Sequence, residues 1–248
     1  MKQVALITGA AQNIGKGIAR VLLENGYTCV LVDINGLKLK ATKDELNSIG
    51  ECFDYQADVG NFEQLEKLLA WLTNEGLILT ALVNNVAYES QVSVSGITQD
   101  ELTRSFQTNL AGPFYMTARI INDWMEHGVH GGVVFISSVH GQLIRTHPLY
   151  SASKAAIEMF VKEAALEFAE HNIRVNAVAP GPTQDTAELQ ADYRVPLGYY
   201  QQPKDIGEGV AFLLSNKARF ITGQTLIIDG GFGIAHVHHW LKKGHLSK

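Results

Sequence analysis

The chain is poor in the features that mark several broad classes of protein. It has only two cysteines in 248 residues, Cys29 and Cys52, both inside apolar runs, which argues against a disulfide framework and points to a reducing compartment. No stretch approaches the ~20 uninterrupted apolar residues that a membrane-crossing helix needs. The first apolar run, Val4 to Ile7, is cut off by Thr8-Gly9 and is too short for the core of a secretion signal. Positive charge is scarce as well. Lys and Arg number 20 against 25 Asp and Glu, a formal net charge of -5, without the basic footprint of a nucleic-acid binder. Hydrophobic residues make up 46% and charged residues 18%, a composition that packs a core rather than staying disordered. A packed cytoplasmic protein with small-molecule ligands, engaging neither membrane nor nucleic acid, is expected.

What is present is a series of short apolar runs. They are Val4-Ile7, Cys29-Val32, Phe53-Gln56, Ala81-Val83, Val133-Ile136, Val175-Ala177 and Leu226-Ile228. The long gaps between them demand crossover connections, usually helical, and hence parallel strands. Runs of Val, Ile and Leu without polar alternation describe strands covered on both faces. The fold class is therefore α/β: a single-domain, Rossmann-like, doubly wound parallel sheet of about seven strands with helices on both faces. No repeat or linker divides residues 1–248. An irregular stretch at about 183–202 reads as a substrate loop, and residues from about 234 to 248 as a tail.

The first chemical motif is Thr8-Gly9-Ala10-Ala11-Gln12-Asn13-Ile14-Gly15-Lys16-Gly17. It follows a strand and opens a helix over Ile14 to Glu24, the context in which backbone N–H groups face a pyrophosphate and glycines let the backbone come close. Gly9, Gln12, Asn13, Ile14 and Gly15 are thus candidate cofactor-binding residues. Asp33 stands at the end of the next strand, 24 residues after Gly9. An acidic side chain there can accept hydrogen bonds from the adenosine ribose hydroxyls, which selects NAD over NADP.

The spacing Gly-x5-Gly-x-Gly resembles that of the short-chain dehydrogenase/reductase family. Further motifs follow in the family's order: Asp58-Val59, Asn84-Asn85, Asn109, Ser138, Tyr150-x3-Lys154, Pro180-Gly181, Thr222-Gly223-Gln224 and Asp229-Gly230-Gly231. The resemblance implies that Asp58 and Val59 flank the adenine, that Asn85 and Ala87 line the cofactor cleft, and that Pro180, Gly181 and Thr183 meet the nicotinamide end. It also implies a catalytic set of Asn109, Ser138, Tyr150 and Lys154, with Lys154 holding the nicotinamide ribose. The implied activity is NAD(H)-dependent interconversion of a secondary alcohol and a ketone or aldehyde. Two alternatives stand beside it, an NADPH-dependent carbonyl reductase of the 3-oxoacyl type and a non-catalytic NAD-sensing protein.

A lone Tyr-x3-Lys proves little, and Tyr200 with Lys204 has the same spacing. Pro203 interrupts that pair, so the two cannot share an undisturbed helix. Tyr150 and Lys154 lie in a run that can be helical, where residues four apart face the same way. A phenol with a pKa near ~10 is a poor base at neutral pH, and an ammonium beside it is expected to lower that value. Of the Ser137-Ser138 pair the family pattern favours Ser138, 12 residues before the tyrosine.

Several features remain open at this level. The family's usual Asn-Asn-Ala-Gly is here Asn84-Asn85-Val86-Ala87, placing a β-carbon where glycine lets the backbone pass close, and Tyr88 is positioned to narrow the pocket. His140 can touch substrate or bridge backbone groups. Lys38, Lys40 and Lys43 can recruit a 2′-phosphate or form a solvated face. No metal site is expected: His236, His238, His239 and His245 lack companion ligands and read as a solvated tail or subunit contact. Amphipathic patterns around Glu101-Asn122 and Ala155-Phe168 fit the family's homotetramer or homodimer contacts or core-facing stripes. Pro113 has no N–H for the Asn109 carbonyl, which is then expected to hold a water on a proton relay from Lys154.

Overall fold

The computed structural model describes residues 2–183 and 195–235. Seven strands form one sheet: β1 (Val4–Thr8), β2 (Thr28–Asp33), β3 (Cys52–Gln56), β4 (Ala81–Asn84), β5 (Gly132–Ile136), β6 (Arg174–Pro180) and β7 (Thr225–Ile228). Their order is β3-β2-β1-β4-β5-β6-β7, and every pairing is parallel. All seven apolar runs of the sequence are strands. The helices that connect them are α1 (Asn13–Glu24), α2 (Gly36–Leu46), α3 (Phe62–Asn74), α4 (Gln99–Phe106), α5 (Gly112–His127), α6 (Pro148–Phe168) and α7 (Pro203–Leu214).

The period of two along a strand divides the core into two layers. Val4 and Leu6 of β1 join Leu65 and Leu68 of α3, Ile120 and Trp124 of α5 and Val161 of α6 on one face. Ala5 and Ile7 join Ile18 and Leu22 of α1, Leu39 of α2 and Val210 of α7 on the other. Burial on both faces holds for the inner strands but not at the two edges. Alternate residues of β3 reach solvent, and Ile227 of β7 is exposed, because an edge strand has a neighbour on one side only.

Two backbone approaches fix helices against the frame. Gly17 of α1 lies so close to Pro203 that a β-carbon there would come within 2.5 Å of the proline Cβ, and one on Gly207 would come within 3.0 Å of the Gly17 carbonyl. The start of α7 is thereby seated on α1. At the start of α5 a β-carbon on Gly112 would lie 1.8 Å from the Val59 carbonyl. The helical pattern expected through Asn109 to Phe114 does not run undisturbed: residues Gln107–Ala111 form a five-residue π-turn between α4 and α5, with the Gly112 N–H donating to the Gln107 carbonyl. Pro113 then sits in the first turn of α5, just after the helical Ala111, and has no N–H to return to that turn.

Candidate active site

The order of strands reverses between β1 and β4, and the crevice outside the carboxyl ends of such strands is where an open α/β sheet binds ligands. The loop after β1 is built for close approach. Gly9 has φ +65, and a β-carbon on Gly15 would come within 2.0 Å of the Gly9 carbonyl. Asn85, just past β4, clamps the loop by donating its Nδ2 to the carbonyls of Thr8 at 2.8 Å and Gly9 at 3.1 Å. Thr8 reciprocates through its hydroxyl, which accepts from the Asn85 N–H at 3.0 Å. This is a cradle that side chains would fill, as a bound dinucleotide requires.

Asp33 ends β2 with both carboxylate oxygens held: Oδ2 accepts from the Ala11 N–H at 3.1 Å and Oδ1 from the Asn35 N–H at 2.9 Å. The same residue that would meet the ribose thus also shapes the glycine loop. Gln12 and Asn13 stand exposed at the start of α1, and Lys38 donates to the Gln12 Oε1 at 2.8 Å, which places one of the three lysines at the rim of the loop. Asp58 turns its Oδ1 onto the Gly60 N–H at 2.8 Å, and the Val59 side chain is buried. Both lie just beyond the end of β3.

At the other end of the crevice a cleft of about 230 Å³ is lined by Ile14, Asn85, Ala87, Ser138, Tyr150, Lys154, Pro180, Gly181 and Thr183, all named from the sequence. Ser138 follows β5, and its hydroxyl accepts from the His140 N–H at 3.2 Å. Ser137 is committed elsewhere, donating to Glu158 at 2.9 Å. Tyr150 and Lys154 are one turn apart on α6, with the amine 5.3 Å from the centre of the phenol ring. Thr183 is pinned by Gln201, whose Nε2 donates to the Gly181 carbonyl at 2.8 Å and to the Thr183 hydroxyl at 3.2 Å.

The electrostatics correct one expectation. The Tyr150 phenol is pushed well above its ordinary value, chiefly by burial, with the Glu89 carboxylate adding to the effect and a hydrogen bond with Ser138 opposing it. Burial pushes Lys154 itself down to about 8, against an opposing pull from Glu89, and its amine donates to the Ile136 carbonyl at 2.7 Å. One N–H of the lysine is thereby committed to the end of β5, and its amine stays 5.3 Å from the phenol ring.

Tyr88 departs from expectation, and the Asn109 side chain is bonded to it. Asn109 is buried and does not line the cleft. Its side chain accepts from the Tyr88 N–H at 2.7 Å and donates to the Tyr88 carbonyl at 2.9 Å and the Ser153 hydroxyl at 3.0 Å. This side chain ties the segment after β4 to α6. The Tyr88 ring lies under Arg104, 4.1 Å from its guanidinium carbon, and the hydroxyl donates to Glu101, so Tyr88 does not narrow the pocket.

Glu89, Arg145 and Phe232 line the cleft too, and no motif in the sequence points to them. Glu89 and Arg145 arrive on loops and Phe232 on a short helical turn, and only their positions after β4, β5 and β7 could have suggested it. His140 packs edge-on against Tyr150 at 5.1 Å between ring centres, and its pKa is pushed down to about 4, mainly by burial. Tyr200 and Lys204 fall on opposite sides of Pro203, with Lys204 directed to Glu24 at 4.0 Å. Residues 184–194 of the expected substrate loop and the tail histidines lie outside the described residues.

A dinucleotide cradle that opens onto a serine, a tyrosine and a lysine defines a class: nicotinamide-dependent oxidoreductases that act on a CH–OH group. A family model described as "Enoyl-(Acyl carrier protein) reductase" matches residues 9–233. Diacetyl reductase [(S)-acetoin forming] of Staphylococcus epidermidis is 31% identical over 93% of this chain and 98% of its own length. 3beta-hydroxysteroid dehydrogenase 2 of Eggerthella lenta is 31% identical over 93% and 94%. Among solved structures, acetoin dehydrogenase from Salmonella typhimurium superposes with a TM-score of 0.86 at 26% identity, covering 94% of this chain and 97% of that one. A 4-hydroxyisoleucine dehydrogenase complexed with NADH also gives 0.86 at 28% identity, over 93% and 98%. The chain belongs to the short-chain dehydrogenase/reductase family and is an oxidoreductase of alcohol and carbonyl groups. No helix among the described residues is long and apolar enough to cross a membrane.

Proposed function

We propose that this enzyme interconverts a small secondary alcohol and its ketone with NAD(H), Tyr150 carrying the proton. The observation that carries the reading is the convergence of Ser138, Tyr150 and Lys154 on one cleft that also holds Ile14, Gly181 and Thr183. When bound, the nicotinamide supplies hydride exchange at its ring. The chain's own residues then do the rest. The Ser138 hydroxyl orients the reacting oxygen beside Tyr150. Burial holds the Tyr150 phenol above its ordinary pKa, so in the reduction direction it meets the carbonyl as a proton donor. Lys154 holds the nicotinamide ribose with its remaining donors, and its contact with Ile136 fixes its reach.

Asp33 supports NAD over NADP, because a carboxylate anchored to the glycine loop repels a 2′-phosphate. The NADPH-dependent 3-oxoacyl-type reading rests on Lys38 at the loop rim. A non-catalytic NAD sensor would not need Ser138, Tyr150 and Lys154 in one cleft. The exposed Met159 and Leu166 of α6 favour a homodimer or homotetramer in the cytoplasm, which light scattering measures directly.

The test is a screen of small hydroxy-ketones, diketones and secondary alcohols, with NADH absorbance as the readout. Wild-type protein should turn over at least one of them, and Tyr150→Phe should lose ~100-fold or more of that rate, the usual scale for a missing acid/base. NADH binding should survive in the variant. A rate within a few-fold of wild type for Tyr150→Phe would remove Tyr150 from the role.

A further inference from the structure

Glu89, His140 and His147 come from three separate segments, the stretch after β4, the single turn after β5 and the residue that precedes α6. The sequence separates them by as much as 58 positions, and no motif joins them. In the fold one ligand-type atom of each lies within 4.8 Å of those of the other two. His147 Nδ1 is already 2.7 Å from a Glu89 oxygen, and the two histidine rings are 5.5 Å apart. His140 Nδ1 is buried and has no hydrogen-bond partner among the described residues. A buried ring nitrogen without a partner calls for an explanation, an unseen ion among the candidates.

We propose that Glu89, His140 and His147 form a divalent-cation site at the mouth of the substrate cleft, suited to zinc. Two imidazoles and a carboxylate are the donor set that borderline cations such as Zn²⁺ take, and three protein ligands leave a fourth position open. Metal–ligand bonds of ~2.0–2.2 Å require the three groups to draw together by small side-chain rotations. Access is open for that: the Glu89 side chain is 45% exposed and that of His147 23%. Charge also permits it. Arg145 and Lys154 both act on His140 as positive groups, but the Lys154 amine is turned onto Ile136, and Glu89 is the counter-charge. Glu89 and His140 line the cleft that holds Tyr150, so the site borders that cleft. The site does not depend on the oxidoreductase reading, and its test reads binding rather than turnover.

The tail histidines could also take zinc, so the starting protein is the full chain with His236, His238, His239 and His245 changed to Gln. This protein should bind one Zn²⁺ per chain, measured by competition with a chromophoric chelator, and its Co²⁺ form should show the intense visible bands of a four-coordinate site. Adding Glu89→Gln or His147→Ala should weaken zinc binding by more than ~tenfold, an effect of at least ~1.4 kcal/mol, and bleach the cobalt spectrum. Circular dichroism of each variant checks that the fold is kept, and the near-isosteric Glu89→Gln guards against loss of structure. Zinc binding that disappears with the tail histidines, or that changes less than tenfold in both added variants, overturns the proposal.

Discussion

Lys154 donates its amine to the backbone carbonyl of Ile136 across 2.7 Å, from the helix that carries Tyr150 one turn earlier. The cationic side chain is almost wholly buried and is held by the last residue of the strand that precedes Ser138. The bond couples the two halves of the catalytic set.

Burial of that amine has a pH signature. Its folded pKa of about 8 lies below the ordinary 10.5, so the stability this group contributes is present above the unfolded value and is lost as the pH falls through the folded one. Between about pH 8 and pH 10, wild-type protein should gain on the order of 1–3 kcal/mol relative to Lys154→Met. Urea denaturation of both proteins at the two pH values measures it, and parallel curves would show that the lysine is not desolvated.

Asp33 is held by the N–H groups of Ala11 and Asn35. Wild-type enzyme should prefer NAD by at least ~tenfold in kcat/KM, equivalent to ~1.4 kcal/mol. Asp33→Ser should narrow that preference and also loosen NAD binding, since the Ala11 N–H loses its acceptor. Equal efficiency with NADP in the wild type would transfer the site to Lys38 and its 2′-phosphate.

Gly112 meets the Val59 carbonyl where a β-carbon would stand at 1.8 Å. Both sides of that contact are backbone, so neither can rotate away. Gly112→Ala should cost at least the ~1–3 kcal/mol typical of overpacking, read as a lowered urea midpoint. An unchanged midpoint would mean that α5 can slide.

Pro113→Ala supplies an N–H aimed at the Asn109 carbonyl and should convert the π-turn at Gln107–Ala111 into regular helix. Asn109 would then be drawn from Tyr88 and Ser153. Turnover should fall ~tenfold or more, as misplacement near a catalytic set does, with NAD affinity little changed. Wild-type kcat in this variant would show that the turn is a packing detail.

The strands were legible because runs of Val, Ile and Leu of strand length admit few alternatives, and the parallel order followed from the gaps between them. Tyr150 and Lys154 were legible because a spacing of four is one helical turn. What the sequence withheld depends on how strand ends and loops meet. Lys154 stands 5.3 Å from the phenol ring as the spacing implies, but its bond to the Ile136 carbonyl depends on where α6 lies against the sheet. The bonds from the Asn109 amide to Tyr88 and Ser153 join residues 21 and 44 positions apart, which no local spacing reveals. Glu89, Arg145 and Phe232 belong to no motif, and their place in the cleft is set by the loops and the short turn that carry them.

The contacts that hold residues 195–203 have an engineering consequence. Thr183 is bridged to Gln201, the Leu197 N–H donates to the Gly230 carbonyl, and Pro203 is wedged against Gly17, so the chain on both sides of 184–194 is fixed to the frame. The entropy of closing a flexible segment between fixed ends grows only logarithmically, about 0.6 kcal/mol for each doubling of its length. An insertion between Thr183 and Val195 should therefore leave the cradle and the catalytic helix undisturbed, because both of its ends are already held.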